Sequence, residues 1–199
     1  MSTKSDLIIK QGKTFRHVIR WETTPIVYKA ISAISKSAPV SLAVTGHGMP
    51  DGWNAAIVSV QGMTQINAQN TPPKESDYHK ATVVDGNTIE FNDINAADYS
   101  TYRSGGYVQY NTPKDLADYS ARMSIKTKVG GTELETFTSV DEDIVIDNTD
   151  KTITILISAT DTAAMTWTNG EYELEMVDAN GEVTQLLTGR VIVEREITN

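Results

Sequence analysis

The sequence predicts an all-β protein, because its strongest hydrophobic pattern has a period of two and no helical pattern of comparable strength is present. The clearest case is the segment 115–126. Its apolar members occupy every second position: Tyr119, Ala121, Met123 and Ile125. Such alternation places one set of side chains on a buried sheet face and the other in water. A Gly-Gly pair at 130–131 then leads into 132–138, so we expect a hairpin and a strand near the centre of the main sheet.

Alternation recurs at both ends of the chain. Leu7–Trp21 begins with an apolar triplet, turns at 11–13 and then alternates, which puts His17 on an inward face. Four later segments repeat the pattern, at 144–146, 153–157, 172–176 and 183–193. Between them, Ser158–Thr166 has the form of one helical turn capped by Ser158, with Asp161 three residues later. This spacing of strands favours a β-sandwich.

The middle of the chain has a different composition. From about residue 30 the residues Ser, Ala, Gly and Asn become more frequent, and a dense turn cluster occupies 46–52. Asp85-Gly86-Asn87 separates two short apolar runs and predicts a hairpin. One helical turn is expected at 95–99, and further short strands at 56–60 and 107–110.

Composition limits the classes of partner. The 199 residues include 26 acidic and 17 basic side chains, for a net charge of −9, so no basic excess is available for nucleic acid. The absence of Cys excludes disulfides, thiolate nucleophiles and Cys-based zinc sites. No secretory signal and no apolar run of about 20 residues is present, so we expect a soluble protein that is made in the cytoplasm and binds no membrane.

A set of short motifs lies in the block 46–108. They are His47-Gly48, Gly62-Met63-Thr64, Ile66-Asn67, Thr88-Ile89-Glu90-Phe91, Asp98-Tyr99-Ser100, Tyr102, Gly105-Gly106 and Val108. In pattern and spacing this block resembles the first catalytic cysteine half-domain of ubiquitin-activating enzymes, which implies a small β-barrel-like domain. The resemblance implies no activity, because that half-domain does not house the catalytic cysteine.

The flanking segments carry a second set of motifs: Gln11-Gly12-Lys13-Thr14-Phe15, Trp21, and Asp115-Leu116 through Ile125. This set resembles the immunoglobulin-like N-terminal domain of phage upper baseplate proteins, in which the two motifs nearly adjoin. Here the block 30–110 separates them. The resemblance therefore implies a discontinuous immunoglobulin-like β-sandwich, 1–29 with 111–199, carrying the domain 30–110 in one loop.

The segment that contains the helical turn also resembles the corner of immunoglobulin-like domains. That likeness implies Tyr172 as the corner tyrosine, and Leu174 at the position where antibody domains have their second Cys.

Candidate sites are few. The three histidines, His17, His47 and His79, have no metal-ligand spacing, and the acidic run 141–143 is typical of a solvated edge. We find no catalytic constellation, and expect no catalytic residue, no cofactor and no bound metal. Aromatic residues concentrate in the insert, where four are candidate partner contacts: Trp53, Tyr78, Tyr107 and Tyr110. Trp53, in a Gly-rich loop, is the best of these, whereas Tyr99 and Tyr102 are predicted to fill the core.

Both resemblances together imply a non-enzymatic virion protein of a tailed phage. We expect it in the tail or baseplate, connecting a tail fibre or receptor-binding component to the tail core and forming a homo-oligomer in the particle. One alternative is a capsid decoration or host-glycan-binding protein, for which Trp53 and the tyrosines would form one exposed platform. The other is an enzyme of ubiquitin-like conjugation, which the missing Cys and the missing Gly-rich nucleotide loop disfavour.

Overall fold

A computed structural model describes residues 3–196 of the chain, and these residues form an all-β protein. The strands are β1 (Thr3–Lys4), β2 (Leu7–Lys10), β3 (Phe15–Ile19), β4 (Glu22–Ala30), β5 (Ala33–Ile34), β6 (Val40–Ala43), β7 (Asn54–Gln61), β8 (His79–Asp85), β9 (Thr88–Phe91), β10 (Ser104–Pro113), β11 (Ser120–Lys126), β12 (Glu133–Thr138), β13 (Ile144–Asp147), β14 (Thr152–Ile157), β15 (Asn169–Val177) and β16 (Val183–Glu194). One α-helix, α1 (Ala159–Ala164), and two 3₁₀ turns, Thr64–Ile66 and Glu75–Asp77, accompany them. No helix within residues 3–196 has the length and apolar character needed to span a bilayer.

The chain divides into two compact units, Met1–Trp21 with Asp115–Asn199, and Glu22–Lys114. We call them the host unit and the insert. The boundaries expected from the sequence, at 29/30 and 110/111, are corrected by strand β4. This strand pairs with β10 as far as the Glu22–Pro113 pair, so all of it belongs to the insert.

The host unit is a sandwich of two sheets. The larger sheet has the order β1–β16–β15–β11–β12, with β2 also on β16, and the smaller has the order β13–β14–β3. Strands β1 and β2 run parallel to β16, and the remaining pairs of these sheets are antiparallel. This is the immunoglobulin arrangement, in which strands B, E and D face strands G, F, C and C′. The insert occupies the connection from β3 to β11, which corresponds to the B–C loop.

Apolar packing alone forms the host core. The inward side chains of both sheets pack in one cluster, and the alternation that predicted β11 is observed, with Ala121, Met123 and Ile125 buried. Leu174, on β15, is fully buried in this cluster. Strand β11 has neighbours on both sides, but β15 is the middle strand.

The corner of the host unit is confirmed in one part and corrected in another. Ser158 caps α1 by accepting a hydrogen bond from the Asp161 N–H, as predicted. The hydroxyl of Tyr172, however, donates to the carbonyl of Ser5 at 2.8 Å. A corner tyrosine bonds to the backbone a few residues upstream. Tyr172 instead holds the N-terminal segment against the sheet.

The insert is a row of antiparallel strands in the order β4–β10–β7–β8–β9–β6–β5. Its outermost strands, β4 and β5, are consecutive and are joined only by Ile31 and Ser32. The Ile31 N–H donates to Gly106 at one end of the row, and the Ser32 N–H donates to Ala43 at the other. The first and last strands of the row are therefore consecutive in the sequence. Among the described residues these two strands do not pair, so the sheet is not closed.

Two local predictions in or beside the insert are wrong. The residue types of Thr23-Thr24-Pro25 predict the end of the strand that begins at Leu7, but this triplet lies inside β4, where Thr24 and Pro25 form a bulge between the Thr23–Thr112 and Ile26–Asn111 pairs. The segment 95–99 forms turns and no helix: the Tyr99 N–H donates to the Ala96 carbonyl, and this single turn is not continued.

Candidate functional site: a tyrosine patch on the insert

Two of the four candidate contacts, Trp53 and Tyr110, belong to the core of the insert, which corrects the sequence-based prediction. The Trp53 side chain is 0% exposed, and its indole N–H donates to the Asn111 carbonyl at 2.9 Å. Tyr110 is buried and donates its hydroxyl to the carbonyl of His47. The Gly-rich turn at 46–52 suggested an exposed loop. Trp53, between this turn and β7, instead packs in the core of the insert.

His47 organises this turn. Its Nδ1 accepts the Met49 N–H at 3.0 Å, and its Nε2 donates to the Asp85 carbonyl at 2.7 Å. This pairing requires the ring proton on Nε2 and leaves no lone pair for a ligand. His47 therefore has a structural role in this turn.

The other two candidates lie on or beside the outer face of the β4–β10 pair. Tyr28, Ile26 and Tyr107 share this face and are 55%, 41% and 46% exposed. The rings of Tyr28 and Tyr107 meet edge to face, with centroids 6.4 Å apart and planes at 86°. We call these three residues the tyrosine patch. Two of them lie on β4, a strand that the sequence pattern did not predict.

Polar groups surround the tyrosine patch, and one of them, the Glu22 carboxylate, is charged. Gln109, opposite Tyr28, is buried, and its amide donates to the hydroxyl of the half-buried Tyr78 at 3.0 Å. At the other end, the Glu22 carboxylate accepts from Asn111 Nδ2 at 2.7 Å. An uncharged aromatic centre with a hydrogen-bonding rim is suited to contact a protein surface or a sugar ring.

Asp77 anchors the loop that presents Tyr78. Its buried carboxylate accepts hydrogen bonds from the Lys74 N–H at 2.8 Å, the Asn70 side chain at 2.9 Å and the Gln69 N–H at 3.0 Å. These bonds, led by those from Lys74 and Asn70, lower the pKa of Asp77. The sequence indicated only a polar loop here, since nothing in it marks Asp77 as the acceptor.

A comparison with models of known protein families and with curated proteins finds no match to this chain. The two units each present a surface of distinct character.

The host unit presents a charged sheet face. Its groove has a volume of about 750 Å³ and is crossed by a basic row on β11, an acidic row on β15 and Arg190 on β16. The register sets Arg122 opposite Glu175, and the Arg122 Nε lies 2.6 Å from a Glu175 carboxylate oxygen. Alternating rows of charge favour a partner with a complementary charge pattern.

Two titratable groups of the host unit have shifted pKa values. His17 stacks on Phe15 with centroids 6.4 Å apart, and burial lowers its pKa. Burial, with the nearby carboxylates of Asp141 and Asp161, raises the pKa of Asp143. Within residues 3–196, no group of three or more His, Asp and Glu side chains is placed to hold a metal ion.

Proposed function

We propose that the chain is a non-enzymatic structural protein of a tailed-phage virion, located in the tail or baseplate. There it connects a tail fibre or receptor-binding component to the tail core. The observation that supports a connector is the presence of two β-units, each with its own core and its own distinctive surface. A connector needs one surface for each partner. The placement in a phage rests on the resemblance of the flanking segments to upper baseplate proteins.

In this proposal the host unit docks through its charged sheet face and the insert presents the tyrosine patch. Each surface is small, so a single contact is weak. Symmetric copies in a particle multiply weak contacts into a stable attachment.

The test is the copy number of the chain in purified virions of its own phage, measured by quantitative mass spectrometry. A small multiple of three or six per particle is expected for a tail or baseplate connector. Hundreds of copies would instead place it on the capsid as a decoration protein, and absence from the particle would overturn the structural role.

Surface variants test the two-surface connector directly. Tyr28→Ser with Tyr107→Ser should release the fibre component while the chain stays in the tail, whereas Arg122→Glu should reduce incorporation of the chain itself. Val84→Ser is the matched control, because Val84 lies in the insert and is as exposed as Tyr28, at 55%. Equal effects of all three changes would contradict the assignment of surfaces.

A second candidate function is host-glycan binding, which the exposed Tyr28–Tyr107 pair beside the Glu22–Asn111 hydrogen bond favours. Aromatic faces stack on sugar rings, and a carboxylate with an amide can bind hydroxyl groups. A glycan array should then give signals that Tyr28→Ala and Tyr107→Ala abolish. Trp53→Ala is unsuitable as a probe because Trp53 is a core residue. An array without signal for the wild-type protein would exclude this function for the glycans tested.

A further inference from the structure

Strand β4 has one free edge. The Ile31 N–H donates to the Gly106 carbonyl, and this pair continues the β4–β10 register. In an antiparallel ladder every second residue directs its N–H and C=O to the neighbouring strand. Residues 27 and 29 therefore bond to β10, whereas the backbone groups of Ile26, Tyr28 and Ala30 point away from it. Among residues 3–196, no strand pairs with that side and no hydrogen bond to those groups is found.

This edge lacks the protection that other edges of the described sheets have. Proteins block exposed edges with charges, short strands or proline. Strand β12 carries Glu133 and Glu135, β3 carries Arg16, and β5 has only two residues. The stretch 26–30 of β4 has a single charged residue, Lys29, whose ammonium group donates to the Gly46 carbonyl at 2.8 Å.

The proline in β4 does not protect the edge either. Pro25 lies in the bulge, and its carbonyl accepts from Thr112 Oγ1 of β10. The bulge lies outside the stretch 26–30. The donors on the free side, at Ile26, Tyr28 and Ala30, remain available.

We infer that β4 pairs antiparallel with β4 of a second copy of this chain, across a two-fold axis. An extended strand is the ligand that satisfies alternating N–H and C=O groups. A second copy supplies the same groups in reversed order. With Tyr28 opposite its equivalent and Ile26 opposite Ala30, three pairs of residues exchange two hydrogen bonds each, so about six hydrogen bonds form.

The paired edge itself carries little charge. Copies with a net charge of −9 repel each other through most of their surface, but Ile26, Tyr28 and Ala30 bring no charge together. Pairing would also join the two tyrosine patches into one continuous apolar face. Because a single strand pair buries little area, the dimer should be weak in solution.

Hydrogen exchange of the full-length wild-type protein tests the pairing. Amide exchange is measured by NMR at about 10 µM and about 1 mM, concentrations that bracket weak association. The amides of Ile26, Tyr28 and Ala30 should exchange at least about tenfold more slowly at the higher concentration, where a dimer fills the edge. Val27 and Lys29 are internal controls, because their amides are bonded to β10 at both concentrations. Sedimentation should show a dimer over the same range.

Two variants separate the backbone from the side chain. Tyr28→Pro removes the ring and the outward N–H, and should be monomeric at every concentration. Tyr28→Ala removes only the ring, and should still form a dimer, with weaker affinity. Slow amide exchange of Val27 and Lys29 verifies that the insert of each variant is folded. A wild-type protein that stays monomeric with fast exchange at about 1 mM would overturn the inference, as would equal dimerisation of the Tyr28→Pro variant.

Discussion

The burial of Trp53 makes the sharpest stability prediction. Trp53→Ala removes a fully buried indole from the core of the insert. Truncation of a buried Trp costs about 3–5 kcal/mol, and the loss of the hydrogen bond to the Asn111 carbonyl adds about 1 kcal/mol. A domain of this size has a free energy of unfolding of about 5–10 kcal/mol. The change should therefore remove about 4–6 kcal/mol, which is roughly two fifths of the stability of the insert or more.

Peptide-resolved hydrogen exchange measures this loss in the insert itself. Peptides from β7 and β9 should exchange at least about a hundredfold faster in the variant, since each 1.4 kcal/mol changes the opening equilibrium tenfold. Tyr107→Ala is the control: it truncates an exposed aromatic of the same unit and should change stability by about 0.5 kcal/mol or less. If Trp53→Ala exchanges like the control, Trp53 does not lie in the core and its role as a contact returns.

Three further predictions concern hydrogen bonds and pH. Tyr110→Phe leaves the His47 carbonyl without its donor and should cost about 1–3 kcal/mol in urea unfolding; an unchanged midpoint would show that the bond contributes nothing. Burial, with the Asp6 carboxylate adding, raises the pKa of Tyr172 to about 12, so the folded host unit holds this proton more tightly than the unfolded chain. Its contribution to stability should be complete below pH 10 and should be lost between pH 10 and 12; Tyr172→Phe should lose this part of the alkaline slope in urea titrations. The pKa of Asp77 is lowered, so its contribution should be present above its ordinary value of 3.8 and lost as the pH falls below it. Asp77→Asn should therefore lower the melting temperature at pH 7 and flatten the acid limb of the stability curve.

The strands that the sequence predicts are those in which apolar and polar residues alternate. Strands such as β11 and β15 carry their own evidence, because alternation of apolar and polar residues reports directly on which face is buried. Strand β4 was missed because Thr24 and Pro25 are typical of a strand end. Its pairing partner, β10, lies far away in the sequence, so no local pattern reveals the bulge that absorbs both residues.

The candidate site was harder to predict, because exposure is a tertiary property. Trp53 follows a Gly-rich turn, which indicates a loop, but its burial depends on the strands that pack over it. Tyr28 was not a candidate at all, and only the β4–β10 register places it beside Tyr107. Tyr107 was a candidate contact because of its residue type alone, and it is exposed in the structure.

The pairing of Glu22 with Pro113 has a consequence for how the host unit folds. It holds the two ends of the insert side by side, at the points where the chain leaves the sandwich and returns to it. If the insert were unfolded, the host would have to close a long flexible loop between β3 and β11, at an entropic cost of about 4 kcal/mol. A folded insert removes most of this cost in advance. The insert is contiguous, whereas the host sandwich needs β16, the last strand, to pair with β2. During synthesis the insert can therefore fold first. The stability of the host unit then depends on the stability of the insert, although the two units share no residues.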